Sequence, residues 1–143
     1  MTVTNTEIEV RYAETDQMGV VHHATYLVWF EVGRTQFIKD LGFSYAQMEE
    51  DGVLAPVTDI SISYKKPFRY GETARIKTWL EEYSGVRAIY GYAIYNESDE
   101  LCITGYSTHV LVDKDSFKPL IMKKVLPEWH KAYTKAVKGK SKG

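Results

Sequence analysis

The chain has 143 residues, of which 44% are hydrophobic and 26% are charged, and its formal net charge is −1. This length and composition suit one globular domain with its own core, and they exclude intrinsic disorder for most of the chain. The balanced charge argues against nucleic acid as a partner, because nucleic-acid binding depends on an excess of positive charge. We therefore predict a single domain over residues 1–134, followed by a basic, flexible tail over residues 135–143.

The cellular compartment is predicted from cysteine usage and hydropathy. The chain contains one cysteine, Cys102, so neither an intrachain disulfide nor a CxxC metal or redox motif can form. The first residues lack the basic and apolar regions of a signal peptide, and no segment approaches the roughly 18 apolar residues that span a bilayer. These features predict a cytoplasmic protein without a membrane partner.

The first half of the chain is predicted to contain a strand, a loop and two helices. Residues 7–12 alternate polar and apolar, which is typical of a strand with one buried face. Residues 13–23 have no regular period and form a loop. Residues 24–41 are apolar at three- and four-residue steps, and nearly all round in their first half, so we predict a long buried helix that ends before Gly42. Ser44 begins a capping-box pattern, which predicts a short second helix.

After Gly52 the apolar period changes to two, which predicts four more strands. They cover residues 59–65, 74–81, 88–95 and 101–112. Because the links between them are short, we expect a four-stranded antiparallel meander. A terminal helix is predicted from Pro127 to Tyr133. The fold class is therefore α+β, with a five-stranded antiparallel sheet wrapped around the long helix.

The outer face of this sheet is predicted to carry Trp79 and many of the 11 tyrosines of the chain. That is more aromatic surface than a monomer usually exposes. We therefore expect self-association, with a dimer as the smallest assembly.

The loop before the long helix is the best candidate for chemistry. The first turn of a helix has unpaired N–H groups and a partial positive charge, which can stabilise an oxyanion. Asp16 lies a few residues upstream and can attack a carbonyl or activate a water, and Gly19 permits the turn that would bring it back. A turn-capping role for Asp16 is the alternative. His22 and His23 have no third metal ligand at useful spacing, so we predict no metal site.

The segment from Tyr12 to Arg34, YAETDQMGVVHHATYLVWFEVGR, resembles the signature of the 4-hydroxybenzoyl-CoA thioesterase family, most closely its short-chain acyl-CoA branch. In outline, that signature has an acidic residue two before an Asp, a Gly followed by Val-Val, then His-Ala-Asn-Tyr, an aromatic pair, Glu and Arg. The predicted order of strands agrees with the family over most of the chain. The resemblance implies a hotdog fold and acyl-CoA thioesterase activity.

The resemblance also implies roles for particular residues. Asp16 would be the catalytic carboxylate, acting as nucleophile or general base, and the backbone N–H of His23 would be the oxyanion donor. Tyr26 matches a tyrosine near the acyl group. Thr25 replaces the usual Asn, and its hydroxyl offers a shorter reach toward the substrate. Family members need no metal or organic cofactor, because coenzyme A arrives within the acyl-CoA substrate. Their active sites lie between two subunits, so a homodimer is implied, and dimers commonly pair into a homotetramer.

Four basic residues are candidates to bind the phosphates of coenzyme A: Lys65, Lys66, Arg69 and Arg87. Each of them alone also fits a solvated surface charge. The resemblance favours Arg87, which lies beside the turn at Ser84. We take Lys65 and Arg87 as the substrate-binding candidates.

The remaining polar and aromatic residues have simpler interpretations. Glu31 is expected to pair with Arg34 three residues on, although a second catalytic carboxylate is the alternative. His109 is expected to be a hydrogen-bonded core or interface residue, and Cys102 a small packing residue. The aromatic residues of the middle strands fit either subunit packing or the lining of an acyl tunnel; they are Trp79, Tyr90 and Tyr92.

The predicted function is hydrolysis of an acyl-CoA thioester to a carboxylic acid and coenzyme A. One alternative keeps the reaction but places the acyl group on acyl carrier protein. Another is a non-catalytic protein that binds acyl-CoA, which would leave Asp16 without a role. Dehydratase chemistry on the same fold would require a histidine where Asp16 stands. The acyl group itself is not assigned by the sequence.

Overall fold

The computed structural model describes residues 1–139. Its strands and α-helices, in chain order, are β1 (Val3–Glu9), α1 (Thr25–Asp40), α2 (Tyr45–Glu50), β2 (Val53–Leu54), β3 (Val57–Tyr64), β4 (Thr73–Tyr83), β5 (Arg87–Tyr95), β6 (Leu101–Val110), β7 (Val112–Asp113), α3 (Met122–Val125) and α4 (Pro127–Ala136). The strand and helix types predicted from the sequence are present. The short ribbon of β2 with β7 and the single turn α3 were not predicted, because elements of two to four residues show no measurable period.

The main sheet has five antiparallel strands in the order β1-β4-β5-β6-β3. The predicted four-stranded meander is wrong, because β3 pairs with β6 at one edge and only β4, β5 and β6 follow one another as neighbours. The link between β3 and β4 passes the start of α1, where the carbonyl of Phe68 accepts a hydrogen bond from the N–H of Val21 at 2.8 Å. This link therefore crosses from β3 to β4, two strands that do not pair with each other. Its short length alone did not reveal the crossing.

The first strand begins earlier and ends earlier than residues 7–12. β1 starts at Val3, opposite Trp79 of β4, and ends at Glu9. Its buried face includes the polar residue Thr4, whose hydroxyl donates to a carboxylate oxygen of Asp40 in α1 at 2.8 Å. The sequence pattern missed this half of the strand because a hydrogen-bonded threonine occupies an inward position.

Helix α1 lies across β1, β4 and β5, and it is not buried all round. A side chain at Gly33 would place its Cβ 2.4 Å from the hydroxyl oxygen of Thr78, so glycine allows the helix to approach the sheet closely. On the opposite side Leu27, Val28 and Val32 are between 39% and 51% exposed. The prediction that α1 is buried on most of its surface is therefore wrong within a single chain. The sheet covers only the side of the helix that carries Gly33.

The outer face of the sheet is less aromatic than predicted. Tyr90 and Tyr92 point inward and are 4% and 1% exposed. Trp79 does lie on the outer face, where it covers Gly91 and donates its indole N–H to Glu81 at 2.7 Å. The bulge between β4 and β5 changes the register after Leu80, which the simple alternation of the sequence could not show. Of the aromatic residues that led us to expect a dimer, Tyr90 and Tyr92 are thus internal, whereas Trp79 and Tyr106 lie on the outer face, where Tyr106 is 43% exposed.

The C-terminal helix is longer than predicted. α4 continues through Ala136, which is 1% exposed, and the N–H of Lys138 donates to the carbonyl of Leu80 at 2.9 Å. The boundary of the tail at residue 135 is therefore wrong, because these residues pack against the sheet. Residues 140–143 of the predicted tail lie outside the described residues. No helix among residues 1–139 has the length and hydropathy needed to cross a membrane.

Candidate active site

The loop before α1 folds as a tight hairpin over residues 14–22. The N–H of Asp16 donates to the carbonyl of Val20 at 2.8 Å, and the N–H of His22 donates to the carbonyl of Glu14 at 2.9 Å. Gly19 has a φ of +78° at the tip and closes the turn onto the carbonyl of Asp16. The hairpin therefore brings the segment carrying Asp16 back beside the residues that begin the helix.

The carboxylate of Asp16 has both a structural contact and a free oxygen. Its Oδ1 atom accepts hydrogen bonds from the N–H groups of Met18 at 2.8 Å and Val20 at 3.4 Å. Its Oδ2 atom accepts none from residues 1–139. The capping role considered from the sequence is thus present, and it holds the carboxylate while one oxygen stays available for a substrate or water.

The N-terminus of α1 offers a free amide at His23. The neighbouring N–H groups are engaged, that of Ala24 with Nδ1 of His22 at 3.2 Å and that of Thr25 with the carbonyl of His22 at 2.9 Å. The N–H of His23 has no acceptor within the described chain. A free donor at the positive end of a 16-residue helix can stabilise a developing oxyanion.

A groove of about 230 Å³ opens at this end of the helix, and three of the predicted site residues line it: His23, Tyr26 and Lys65. Its other wall is Tyr64 of β3, a residue that the sequence analysis missed. The Tyr64 ring centroid lies 5.7 Å from that of Tyr26, and its hydroxyl donates to the carbonyl of His23 at 3.5 Å. The predicted strand over residues 59–65 includes Tyr64, but only the fold places this residue beside the helix.

The floor of the groove is apolar. Tyr26 is 3% exposed and packs edge-on against Trp29, with the ring centroids 5.2 Å apart. Burial raises the pKa of the Tyr26 phenol, so this side chain stays a neutral hydroxyl at physiological pH. Thr25, the first helical residue, is half-buried beside the groove. The groove therefore combines a polar rim with an aromatic base, as expected for a site that holds an acyl group.

Three of the four basic candidates lie near the groove: Lys65 and Lys66 line it, and Arg69 bridges to Val20 of the hairpin. Lys65 is exposed at the groove, whereas Lys66 forms an ion pair with Glu100. Arg87 lies opposite Val110 of β6, while Tyr64 lies opposite Ile103. Seven residues of strand separate these two levels, which is about 23 Å. Arg87 therefore lies at the far end of the sheet from the groove of its own chain.

Glu14 is a buried part of the site that the sequence analysis quoted only as a motif residue. Its side chain accepts the indole N–H of Trp29 at 2.9 Å and the backbone N–H of Arg11 at 2.8 Å. Burial favours the protonated acid, but these donors and the guanidinium of Arg11, 3.5 Å away, outweigh it and lower the pKa of Glu14. The ionised side chain thus connects the hairpin to the first turns of α1. The acidic position two before Asp16 was the available signal.

The expected pair of Glu31 with Arg34 is wrong. Arg34 is 9% exposed and points into the core, where it donates to the hydroxyls of Tyr45 at 2.9 Å and Tyr92 at 3.1 Å. Glu31 forms no ion pair with any residue in the range 1–139. A spacing of three residues was not sufficient to predict an ion pair, because the long side chain of Arg34 lies on the buried side of the helix.

A chain of buried hydrogen bonds leads from Arg34 to His109. Arginine can only donate, so Tyr92 accepts from Arg34 and donates to Ser107 at 2.6 Å. Ser107 then donates to Nε2 of His109 at 2.9 Å, and Nδ1–H of His109 donates to the carbonyl of Ala55 at 2.9 Å. His109 is therefore the expected core residue, held as a neutral tautomer, and Cys102 is likewise fully buried.

Two further features concern metal binding and the aromatic strands. Among residues 1–139, no group of three or more potential ligands can hold a metal ion. The rings of His22 and His23 stack with their centroids 4.3 Å apart, and both side chains are exposed. Tyr92 packs face to face with Phe30 within the core, at 4.1 Å between ring centroids, so subunit packing is not its role.

The sheet wrapped around α1, with a carboxylate hairpin and a free amide at the N-terminus of that helix, defines a hotdog-fold protein with a candidate hydrolytic site. The chain belongs to the thioesterase-like superfamily, whose family model matches residues 10–130.

Individual relatives agree with this assignment. The chain is 62% identical over 138 residues to the Bacillus subtilis protein named "Putative acyl-CoA thioesterase YneP", covering 96% of this chain and all of that one. It is 27% identical to the Escherichia coli acyl-CoA thioester hydrolase YbgC, over 82% of this chain and 87% of that one. The solved structure of a DHNA-CoA thioesterase from Staphylococcus aureus superposes with a TM-score of 0.92 at 49% identity, covering 94% and 91% of the two chains.

Proposed function

We propose that this protein is an acyl-CoA thioesterase that hydrolyses its substrate to a carboxylic acid and coenzyme A. The observation that carries the proposal is the single hairpin that holds Asp16 with one free carboxylate oxygen and leads into the free N–H of His23. The 62% identity to YneP over the full length of that protein supports the same reaction.

In the proposed reaction, the thioester oxygen accepts a hydrogen bond from the N–H of His23 as it becomes negative. Asp16 either attacks the carbonyl carbon, forming an anhydride that water then hydrolyses, or removes a proton from the attacking water. In both routes the C–S bond breaks, water supplies the new oxygen of the acid, and the departing thiolate takes up a proton. Water is the only co-reactant, and the chain itself supplies both catalytic groups of the proposed reaction, the carboxylate of Asp16 and the N–H of His23.

The polar rim is proposed to bind the coenzyme A portion. Lys65 is exposed at the groove and makes no ion pair with any other residue of the range 1–139, so it is available for a phosphate. Thr25 offers its hydroxyl beside the acyl carbonyl. Arg87 lies too far along the sheet to reach the same ligand from the same chain, so its proposed role requires a neighbouring subunit.

Within the superfamily, the residues from Tyr12 to Arg34 support a place in the 4-hydroxybenzoyl-CoA thioesterase family. For the acyl group we propose a fused aromatic ring rather than the short aliphatic chain of the branch that the sequence first indicated. Two observations support this substrate. The rings of Tyr26 and Tyr64 border the groove, and the 49%-identical Staphylococcus aureus structure is that of a DHNA-CoA thioesterase.

Thiol release across a panel of substrates tests the proposed function. The panel comprises short-chain, long-chain, benzoyl and DHNA thioesters of coenzyme A, with one acyl group also attached to acyl carrier protein. We expect the highest kcat/KM for DHNA-CoA, because its rings match the aromatic groove. Faster turnover on acyl carrier protein would change the carrier assignment. Tight binding without thiol release from any substrate would show a non-catalytic acyl-CoA-binding protein.

Self-association is proposed through β3, which is an edge strand with nearly all of its residues exposed. Ile60 is 43% exposed, and the uncovered apolar residues of α1 include Leu27 and Val28. An unpaired edge strand beside an apolar surface favours pairing with a second copy of the chain. Since Tyr64 ends the same strand, this homodimer would place the partner next to the groove, and two dimers would form the homotetramer.

We expect sedimentation analysis to give a dimer or a tetramer for the wild type and a monomer for Ile60→Asp. The introduced carboxylate would have to be desolvated in the pairing surface, which costs several kcal/mol in real proteins. Val3→Asp on the opposite edge strand is the matched control, since Val3 is 40% exposed, and it should keep the wild-type assembly. A monomeric wild type would overturn the proposed dimer.

A further inference from the structure

We infer that Glu14 and Trp29 form a positioning pair that holds the Asp16 hairpin against helix α1 for catalysis. The inference rests on the proposed thioesterase function and assigns neither residue a contact with the substrate. It concerns how the carboxylate of Asp16 keeps its place relative to the N–H of His23.

The hairpin has few other attachments to the helix that it precedes. Its two arms bond to one another through Glu14, Asp16, Val20 and His22. Its second arm bonds to the segment between β3 and β4, where Val21 donates to Phe68 and Val20 bridges to Arg69. The side chain of Glu14 is the hydrogen-bonding group of the first arm that reaches α1, across 15 residues of sequence.

The pair is well buried and fully satisfied. Glu14 is 7% exposed and Trp29 is 1% exposed. One oxygen of Glu14 takes the indole N–H of Trp29 and the other takes the backbone N–H of Arg11. Only an ionised carboxylate can accept both donors at once, because the amide of glutamine has one accepting oxygen and would turn its NH₂ toward the second donor. Glutamate is therefore specified at this position.

The arrangement separates positioning from binding. The backbone carbonyl of Glu14 accepts the N–H of His22, the residue directly before the proposed oxyanion donor. Displacement of Glu14 would therefore move both the first arm, with Asp16, and the start of α1. Tyr26 and Lys65, which line the groove, have no hydrogen bond to Glu14. Loss of the pair should thus lower kcat more than it raises KM.

The experiment compares Glu14→Gln, Glu14→Ala and Trp29→Phe with the wild type in steady-state thiol release. We expect kcat to fall by roughly 10- to 100-fold in Glu14→Ala, with a smaller loss in Glu14→Gln, and KM to change by less than about threefold. The double variant Glu14→Gln/Trp29→Phe should lose little more than the worse single variant, because the two residues act through one bond. Additive losses, or equal effects on kcat and KM, would overturn the pairing.

The chain supplies a matched control in Glu81, whose carboxylate accepts the indole N–H of Trp79 at 2.7 Å on the outer face of the sheet. Glu81→Gln should leave kcat unchanged. If Glu81→Gln and Glu14→Gln lower kcat equally, the effect is a general loss of stability and the inference fails.

A second readout does not depend on turnover. The indole N–H resonance of Trp29 and the exchange protection of the His22 amide should both change in Glu14→Gln, while the indole resonance of Trp79 should not. Unchanged Trp29 and His22 signals would overturn the inference. Changed signals in a protein that releases no thiol from any substrate would support the positioning pair and refute the thioesterase function.

Discussion

Replacing Asp16 with Asn is expected to lower kcat for thioester hydrolysis by roughly 100- to 10,000-fold, with little change in substrate binding. Asparagine retains an acceptor for the N–H of Met18, so the turn is preserved while the negative charge and the basic oxygen are lost. The group removed acts in the transition state, so kcat and kcat/KM should fall together. Thiol release and equilibrium binding of the same acyl-CoA measure the two effects separately.

Asp113 is a matched control for this substitution. Its carboxylate also accepts N–H groups of its own turn, from Asp115 at 3.0 Å and Ser116 at 2.9 Å, but it ends β7, which pairs with β2, and is not part of the hairpin before α1. Asp113→Asn should therefore keep the wild-type rate. If Asp16→Asn retains most of the activity on every cleavable thioester, Asp16 only caps its turn and the proposed mechanism is wrong.

The second large effect is a loss of stability in mild acid caused by His109. Burial, together with the charge of Arg34, lowers the pKa of His109 from 6.5 to about 4. The unfolded chain therefore binds a proton at this residue between these two pH values, and the folded protein does not. Stability falls as the pH drops through this window, by roughly 3 kcal/mol when the pH reaches 4.

The hydrogen-bond chain explains why the folded protein resists this proton. Nε2 of His109 accepts from Ser107, and its other nitrogen already donates to Ala55. If Nε2 took up a proton, the hydroxyl of Ser107 would have to accept a hydrogen bond from it instead of donating one. Ser107 already accepts from Tyr92, whose hydroxyl is oriented by Arg34. Among the groups that face the imidazole, Tyr90 presents only its ring, with the centroids 5.2 Å apart, and offers no compensating carboxylate.

Urea unfolding of the wild type and of His109→Gln at several pH values between 7 and 4 measures this contribution. The variant should be less stable at pH 7, because glutamine does not reproduce both hydrogen bonds. Its free energy of unfolding should decline less steeply as the pH falls. The carboxylates and the other histidines titrate in both proteins, so the difference between the two curves isolates His109. Parallel curves would contradict the assignment.

The loop that carries the candidate site was predictable from the sequence because its contacts are local. Six residues separate Asp16 from His23, and the hairpin that contains them is closed by backbone hydrogen bonds and a glycine of positive φ. Such contacts depend on nearby residues, so a sequence segment can specify them. The end of α1 before Gly42, which has a positive φ, was predictable for the same reason. So was the start of α2 after Ser44, whose side chain accepts the N–H of Gln47.

The sequence-based predictions were wrong where the partners of a residue lie far away in the sequence. Arg34 was expected to meet Glu31 on the surface, but two tyrosines from α2 and β5 bind it inside. The pattern of Tyr90 and Tyr92 fitted either subunit packing or an acyl tunnel, but both residues lie opposite buried residues of β4 and their rings are in the core. Periodicity records which residues share a face, and it does not show which face is covered.

By itself, then, the sequence determined the fold class, the long helix and the loop that brings a carboxylate to the N-terminus of that helix. Only the tertiary structure decided that β3 lies beside β6, that Tyr64 and Lys65 border the groove and that Arg87 lies at the far end of the sheet. The physical reason is that helix caps and tight turns are stabilised by hydrogen bonds within a few residues. Strand order and side-chain burial depend instead on how the whole chain covers its apolar surface, which no single segment of the sequence specifies.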